Sequence, residues 1–425
     1  MDQVLKSVNL TLANGKANSS ASYKEKPSES VQAQDWRKEG AVLALGACAL
    51  HISNKDQIHS IIQNQLLPAL STPSQAVQHS VAKTMIKLIK KCDPSIVEVC
   101  AELCLSKCLD SSSKINLATR KGNAYGIAAI VKGKGISTLK KYGIITKLQS
   151  SLSQSEDGDA ASREGALYCI SELDILLKLL FEPYVLQLLP GIIQCFADVS
   201  QYVRTAAEES VHTIMSNLSN HGVKLVLPVI LSNFQNDDSE SKPNSDDWRA
   251  KLASLKILGS VGNISPKFVG QYLPKVIPIL IEQHSSTNIK VRTAADEALR
   301  CIVSTIQNPE ISSLQKVILE ALVDGSGERR LDVLEGLIAQ NFTHAIDTPS
   351  ISITIPILLK SLKASTPSTH KRLACLILGT FCEILEDVGG IAGYGMSIFL
   401  CACAVLLTAP LKIISTNIFA RIINT

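Results

Sequence analysis

The sequence predicts an all-α fold, a solenoid superhelix of about eight to nine helical hairpins, on three observations: length, aliphatic composition and a recurring element. At 425 residues the chain exceeds what one hydrophobic core usually supports, so it is either several domains or an elongated array. Hydrophobic residues make up 46% of it and aromatics only 4%, so the core is built of Leu, Ile, Val and Ala. Such small aliphatic side chains suit stacked pairs of helices.

The recurring element is a basic residue, then Ala or Gly, then a Leu/Ile-rich helix. Its first copy is Trp36-Arg37-Lys38-Glu39-Gly40-Ala41. Later copies begin at Val77-Gln78, Arg120-Lys121-Gly122, Arg163-Glu164-Gly165, Val203-Arg204-Thr205, Trp248-Arg249-Ala250, Val291-Arg292-Thr293, Arg329-Arg330 and Lys371-Arg372-Leu373. Successive copies lie about 38 to 45 residues apart, the spacing of HEAT or armadillo (ARM) units. Between them stand Leu67-Pro68, Leu189-Pro190, Leu227-Pro228, Leu273-Pro274 and Ile355-Pro356, each read as the opening of a helix, because proline in a first turn sacrifices no intrahelical hydrogen bond. One unit is then a helix A that opens with Pro, a short Asp-containing turn, and a helix B that opens with Val-Arg and Ala. Small residues at the start of helix B let the two helices approach closely, and each pair leaves an apolar face that only the next pair covers.

Three regions follow. Residues 1–34 are rich in Ser, Asn and Lys without an apolar period and are expected to be disordered. Residues 35–387 form the solenoid, interrupted by an acidic, Ser-rich loop from Gln235 to Asp247 on one rim. Residues 388–425 form an aberrant apolar tail. Its stretch Val388 to Leu411 has no charged residue over a length sufficient to cross a bilayer. Its Gly content, Pro410 and its break with the repeat phase point instead to altered or read-through coding sequence at a truncated end, and not to a membrane anchor.

A net charge of +4, from 42 basic and 38 acidic side chains, is too mild to announce a nucleic-acid binder by itself. Twelve cysteines scattered through apolar helical stretches, with no secretory signal at the start, fit a reducing, cytoplasmic compartment. Cys100, Cys104 and Cys108 follow Cys92 at i, i+4, i+8 spacing; ligands strung along about two helical turns cannot converge on one tetrahedral ion, so these are read as buried structural thiols. The run Gly133 to Thr138 lacks the GxxxxGK[ST] spacing of a phosphate loop and reads as a helix end. The histidines show no HExxH or nucleophile motif. No catalytic, metal or cofactor site and no small-molecule substrate are therefore expected.

What remains is basic. Arg37, Arg120, Arg163, Arg204, Arg249 and Arg292 recur at one position of helix B and are read mainly as structural, bonding to an Asp or a helix end in a neighbouring unit, as Asp198 before Arg204 would allow. Lys132, Lys134, Lys140 and Lys141 cluster without an obvious internal partner and are the candidates for contact with ribosomal RNA.

Several stretches go beyond a generic repeat: Arg120 to Ile127 leading to Val131-Lys132-Gly133-Lys134-Gly135-Ile136; Leu180-Phe181-Glu182-Pro183-Tyr184-Val185; Gln201-Tyr202-Val203-Arg204; and Met215 to Ser219 with His221 to Pro228. Together they resemble the general-control non-derepressible translational activator family, ribosome-associated HEAT proteins whose central part is similar to the HEAT region of fungal elongation factor three. The resemblance runs from about Trp36 to Leu385. It implies a cytoplasmic scaffold that binds ribosomes, both ribosomal RNA and proteins. It also implies support for the starvation-responsive kinase of initiation factor two alpha, through a kinase-binding region in repeats beyond this stretch. Two alternatives stand beside it: a transport or phosphatase scaffold of the same class, which would favour repeating Asn that helix B lacks, and a tail-anchored adaptor.

Overall fold

The structure, a computed structural model, describes residues 29–384 apart from 113–114, 154–158, 233, 235–246, 265, 324–327 and 364–365. The described residues form helices and turns, in two units, Met1–Ser219 and Asn220–Thr425. The acidic-loop residues 235–246 and the apolar tail 388–425 lie outside the described residues.

In the first unit the B helices are α1 (Glu29–Ala49), α3 (Gln75–Ile89), α5 (Leu117–Lys134), α8 (Ala160–Leu177) and α10 (Gln201–Asn217), each packed on the next. The A row holds α2 (Lys55–Ile61, continued through a π-turn at Ile62–Leu66 into Leu67–Ala69), α4 (Pro94–Cys108), the short α6 (Ser137–Lys141) with α7 (Ile144–Leu152), and α9 (Glu182–Cys195). Helix α1 begins at Glu29, so the boundary at residue 34 is too late. The run Ser30-Val31-Gln32-Ala33-Gln34 contains no helix breaker and simply extends the first turns of α1.

Two glycines show how closely the rows approach. A β-carbon on Gly122 of α5 would lie 1.8 Å from the carbonyl oxygen of Leu70, at the end of α2. One on Gly165 of α8 would lie 1.9 Å from that of Cys108, at the end of α4. Helix B thus rests against the C-terminal end of a preceding helix A with nothing between them but hydrogen. The core beneath is aliphatic: Val81, Leu88, Ile127, Ile130, Leu148, Leu173 and Ile192 are fully buried.

The prolines behave differently from the reading above. Pro190, Pro228, Pro274 and Pro356, and Pro278 beside them, sit inside helices, whereas Pro68 does stand in the first turn of a short helical segment, Leu67–Ala69, which continues the π-turn of α2. Pro190, Pro228 and Pro278 lie on exposed faces, where the carbonyl four residues earlier loses its N–H partner but meets solvent or a neighbour. The carbonyl of Lys224, four before Pro228, accepts from the Tyr272 hydroxyl at 3.5 Å. Packing on both flanks outweighs one missing hydrogen bond, so the helix runs through. Four true starts carry asparagine caps, the side chains of Asn54, Asn116, Asn288 and Asn308 accepting from backbone N–H groups two or three residues further on, and proline stands in the first turn at Pro94, Pro183, Pro309 and Pro349. Gly135, with φ +105°, ends α5 as the Gly133 to Thr138 run suggested.

The second unit continues the alternation with α11 (Asn220–Ser232), α12 (Asp247–Ile264), α13 (Pro266–His284), α14 (Ile289–Val303), α15 (Pro309–Ser312), α16 (Gln315–Val323), α17 (Glu328–Ala339), α18 (Thr348–Ser361) and α19 (Ser368–Ile384). Helix α18 alternates Ser-Ile-Ser-Ile-Thr-Ile, a strand-like period, yet is helical and wrapped by α13, α16, α17 and α19. Burial on several sides removes the need for a one-sided stripe. The Thr354 hydroxyl donates back to the Ser350 carbonyl at 2.9 Å, so it costs little inside.

Gly165→Ala is expected to lower stability by about 1–3 kcal/mol, because its methyl meets a backbone oxygen that cannot swing aside. Gly40→Ala has nothing within 4 Å and should instead stabilise the chain by up to about 1 kcal/mol. Urea titrations of the two variants read the difference, and equal effects would contradict the close approach.

Candidate functional site

The helix-B polar positions resolve into a rung set two residues before each small residue. Aligned on Gly40, Ser80, Gly122, Gly165 and Ala206, the rung residues are Lys38, Gln78, Arg120, Arg163 and Arg204, all on the B helices of the first unit. Lys38 is buried whereas Arg37 is exposed, so Arg37 lies one residue out of register and Lys38 takes its place. The cause is the extra residue between the basic pair and glycine in Arg37-Lys38-Glu39-Gly40.

Each rung from Gln78 onward is tied to a neighbouring segment. Gln78 Nε2 shares its two N–H groups among the carbonyls of Leu70, Thr72 and, on the next B helix, Ala118, at 3.1, 2.6 and 2.8 Å. Arg120 Nη1 stands 3.6 Å from Glu164 Oε2 on α8. Arg163 Nε donates to Asp198 Oδ2 at 2.6 Å, with both side chains under 10% exposed, and Arg204 Nη1 donates to the carbonyls of Asp198 and Val199 at 2.7 Å. In the second unit, Arg249 lies over its neighbour Trp248 with its guanidinium carbon 5.2 Å from the ring, and Arg292 is exposed.

A second tie, which the sequence reading missed, links the other ends of the B helices. Lys91 Nζ donates to the Leu50 carbonyl just past α1, and Lys134 Nζ donates to the Cys92 carbonyl just past α3 at 2.6 Å. Carbonyls at a helix C-terminus carry partial negative charge and attract an ammonium. Lys134 therefore has an internal partner, contrary to the expectation for it. The available signal was the spacing of the two lysines, one repeat apart and each at the end of a B helix.

The remaining members of that cluster face outward. Lys132, Lys140 and Lys141 are exposed, and Lys141 Nζ lies 5.3 Å from the Tyr142 ring centroid. The Tyr142 hydroxyl donates to the Pro94 carbonyl at 3.1 Å, which sets this turn beside the start of α4. Lys90 and Lys147 are exposed too, and Asp93 on the same edge is engaged by Lys55 at 2.6 Å. Between Asp110 and Glu156 the sequence carries Lys114, Arg120, Lys121, Lys132, Lys134, Lys140, Lys141 and Lys147 and no acidic side chain. A whole repeat is thus strongly basic inside a nearly neutral chain, a signal that the total charge hides.

Titratable groups elsewhere are shaped by burial. Glu172 on α8 is pushed up to about 7 by desolvation, partly opposed by Lys121, and Asp174 to about 6 by the same cause, opposed by the Asn217 amide. Burial also raises Glu164, outweighing its long contact to Arg120. The thiol of Cys100 is pushed up to about 11 by burial, which makes it unreactive. Among the described residues no group of three His, Cys, Asp or Glu is placed to hold a metal, and no helix is long and apolar enough to cross a membrane.

Arg163→Ala, which strands the buried Asp198 carboxylate, is expected to cost about 3–5 kcal/mol in a urea titration, well beyond the effect of Arg37→Ala. Glu172 and Asp174 hold their protons more tightly folded than unfolded, so they favour the folded state fully below about pH 4 and less as pH rises through 6 and 7. Glu172→Gln should flatten this fall and raise the melting temperature at pH 8, and a pH series of thermal melts checks it.

Comparison with known proteins places these repeats. Residues 120–299 match the family described as EF3 N-terminal HEAT repeat, and residues 329–400 match Elongation factor 3/GNC1 HEAT repeat. The chain is 35% identical over 353 residues to the stalled ribosome sensor GCN1 of Homo sapiens, an alignment covering 83% of this chain and 13% of that protein. It is 35% identical to Protein ILITYHIA of Arabidopsis thaliana over 86% of the chain and 13% of the relative, and 32% identical to the eIF-2-alpha kinase activator GCN1 of Saccharomyces cerevisiae over 84% and 13%. The chain thus spans about an eighth of the length of these relatives. With its repeats tied by the rungs above and matched along most of its length, the chain belongs to the GCN1 family of HEAT-repeat proteins.

Proposed function

We propose that this chain is a non-catalytic stretch of a ribosome-binding regulator of translation, acting in the cytoplasm and supporting activation of the initiation factor two alpha kinase during amino-acid starvation. The observation that carries the reading is the carboxylate-free repeat between Asp110 and Glu156, which presents Lys132, Lys140 and Lys141 outward, in a chain whose relatives are named stalled ribosome sensor and eIF-2-alpha kinase activator. Lysine ammonium groups read the phosphate backbone as point charges and need no base-specific geometry, which suits the surface of folded RNA. Contact with the kinase belongs to repeats outside this stretch. A transport or phosphatase scaffold gains nothing from the helix-B rungs, which are Lys, Gln and Arg with no Asn.

Sedimentation of the chain through a sucrose gradient of cell lysate tests the proposal. At low salt the chain is expected to travel with monosomes and polysomes and to leave them as salt is raised. The charge reversal Lys132→Glu with Lys140→Glu and Lys141→Glu should shift it to the top of the gradient. Removing a single lysine that pairs with a phosphate should also reduce the slope of log affinity against log salt by about 0.7–0.9. Undiminished co-migration of the triple variant would remove these lysines from the interface.

A further inference from the structure

We propose that the corner Lys178-Leu179-Leu180, at the end of α8, is an insertion tip for an anionic lipid surface, with the exposed lysines of the preceding turn, Lys132, Lys140 and Lys141, beside it. Counted from the rung arginines Arg120 and Arg163, Leu177 takes the place of Lys134 and Lys178 that of Gly135. The tie to a helix-end carbonyl is therefore absent at this position of α8, where Leu177 is buried instead. Gly135 turns the chain at φ +105°, a conformation open to glycine, but Lys178 caps α8 at φ +52° and ψ −129°, where a β-carbon is crowded. The corner is pinned on both sides, by Leu177 and by the fully buried Phe181, whose N–H donates to the Lys178 carbonyl at 2.8 Å. Between these pins Leu179 and Leu180 stand outward, 62% and 59% exposed, with Ile175 half-exposed one turn back on α8. The Lys178 ammonium is exposed and has no hydrogen bond or ion pair among the described residues.

Charge and apolarity together select the occupant. RNA satisfies the lysines but sets two leucines against a polar backbone, and a neutral apolar socket covers the leucines but strands the ammonium groups. An anionic lipid surface supplies negative headgroups and, directly beneath them, hydrocarbon, so one ligand meets both demands. Nothing acidic competes for it at the tip. Asp174 and Glu182, the acids nearest the corner in sequence, are engaged by Asn217 and Ser219, and no carboxylate lies between Asp110 and Glu156 in the preceding repeat. The B helices α5 and α8 pack on each other, which sets the turn after α5 and the corner after α8 on one edge.

The test is co-sedimentation of the full chain with vesicles of phosphatidylcholine alone and of phosphatidylcholine containing about a third phosphatidylserine. The chain is expected to pellet with the anionic vesicles, far less with the neutral ones, and to be released in part as salt is raised. Leu179→Ser with Leu180→Ser should weaken the binding roughly tenfold or more, and Lys178→Glu about fivefold or more. Melting temperatures of both variants should match that of the parent chain, since the replaced side chains are exposed. Absence of binding to anionic vesicles would overturn the inference, as would equal binding by the leucine variant. Binding that is equal on both vesicles and in every variant would place insertion in the uncharged stretch Val388 to Leu411 and overturn it too. If the parent chain ignores vesicles and the leucine variant alone loses co-migration with ribosomes, the tip belongs to a ribosomal protein contact and the inference is again overturned. Vesicles hold no RNA, so failure here and failure of the ribosome reading are separable.

Discussion

The Leu70 carbonyl stands where Gly122 would carry a β-carbon, and the Cys108 carbonyl stands likewise at Gly165. This approach of a backbone oxygen to a glycine sets the distance between successive hairpins, and the aliphatic core is filled to that distance. A methyl group would force the B helix away and disturb the packing of Ile127, Ile130, Ala166 and Ile170, all fully buried on it. Because the oxygen belongs to a helix terminus, it also needs a donor. At Leu70 that donor is Gln78, whose amide bridges three carbonyls from two segments. At Leu70 the steric constraint and the polar one are met at the same spot.

The two kinds of tie act at opposite ends of the B helices. Rungs such as Arg163 with Asp198 hold the end where B begins, and Lys91 and Lys134 hold the carbonyls where a preceding B stops. A neutral isostere could fill the same space at less desolvation cost, so the rungs fix register more than they add stability. Once register is fixed, the intervening lysines are released from structural work. Lys132 lies two residues from the tied Lys134 and is exposed, and Lys140 and Lys141 follow on a turn held by Tyr142. Function on such a scaffold comes from what the ties leave exposed, and the array allows one repeat to turn strongly basic without disturbing its neighbours.

The fold was legible because the repeat period is long-range and redundant. Nine copies of one element survive individual exceptions, and the small residues after the basic one carry a steric meaning that Gly122 and Gly165 bear out. Boundaries were less legible. Pro190, Pro228 and Pro274 mimic helix starts, but whether a helix restarts or runs through depends on packing flanks that a local motif does not encode. Register within a motif slipped where a residue intervenes, as between Arg37 and Lys38. The partner of Lys134 was hidden because a helix-end carbonyl leaves no mark in sequence except a spacing of one repeat.

That last case bears on how surface charge in repeat proteins should be weighed. Lys132 and Lys134 differ by two positions on one helix end, and composition cannot distinguish them. Lys134 is committed to a carbonyl, and moving it to RNA would cost the α3 terminus its ammonium. Lys132 has no such tie among the hydrogen bonds described for this edge and can meet a phosphate at the expense of water alone. The lysine count of a basic repeat therefore overstates its free charges, and the separation follows from helix ends: Lys91 and Lys134, one repeat apart at the ends of B helices, bond to carbonyls of the array, whereas Lys90 and Lys132, one or two residues away, face outward.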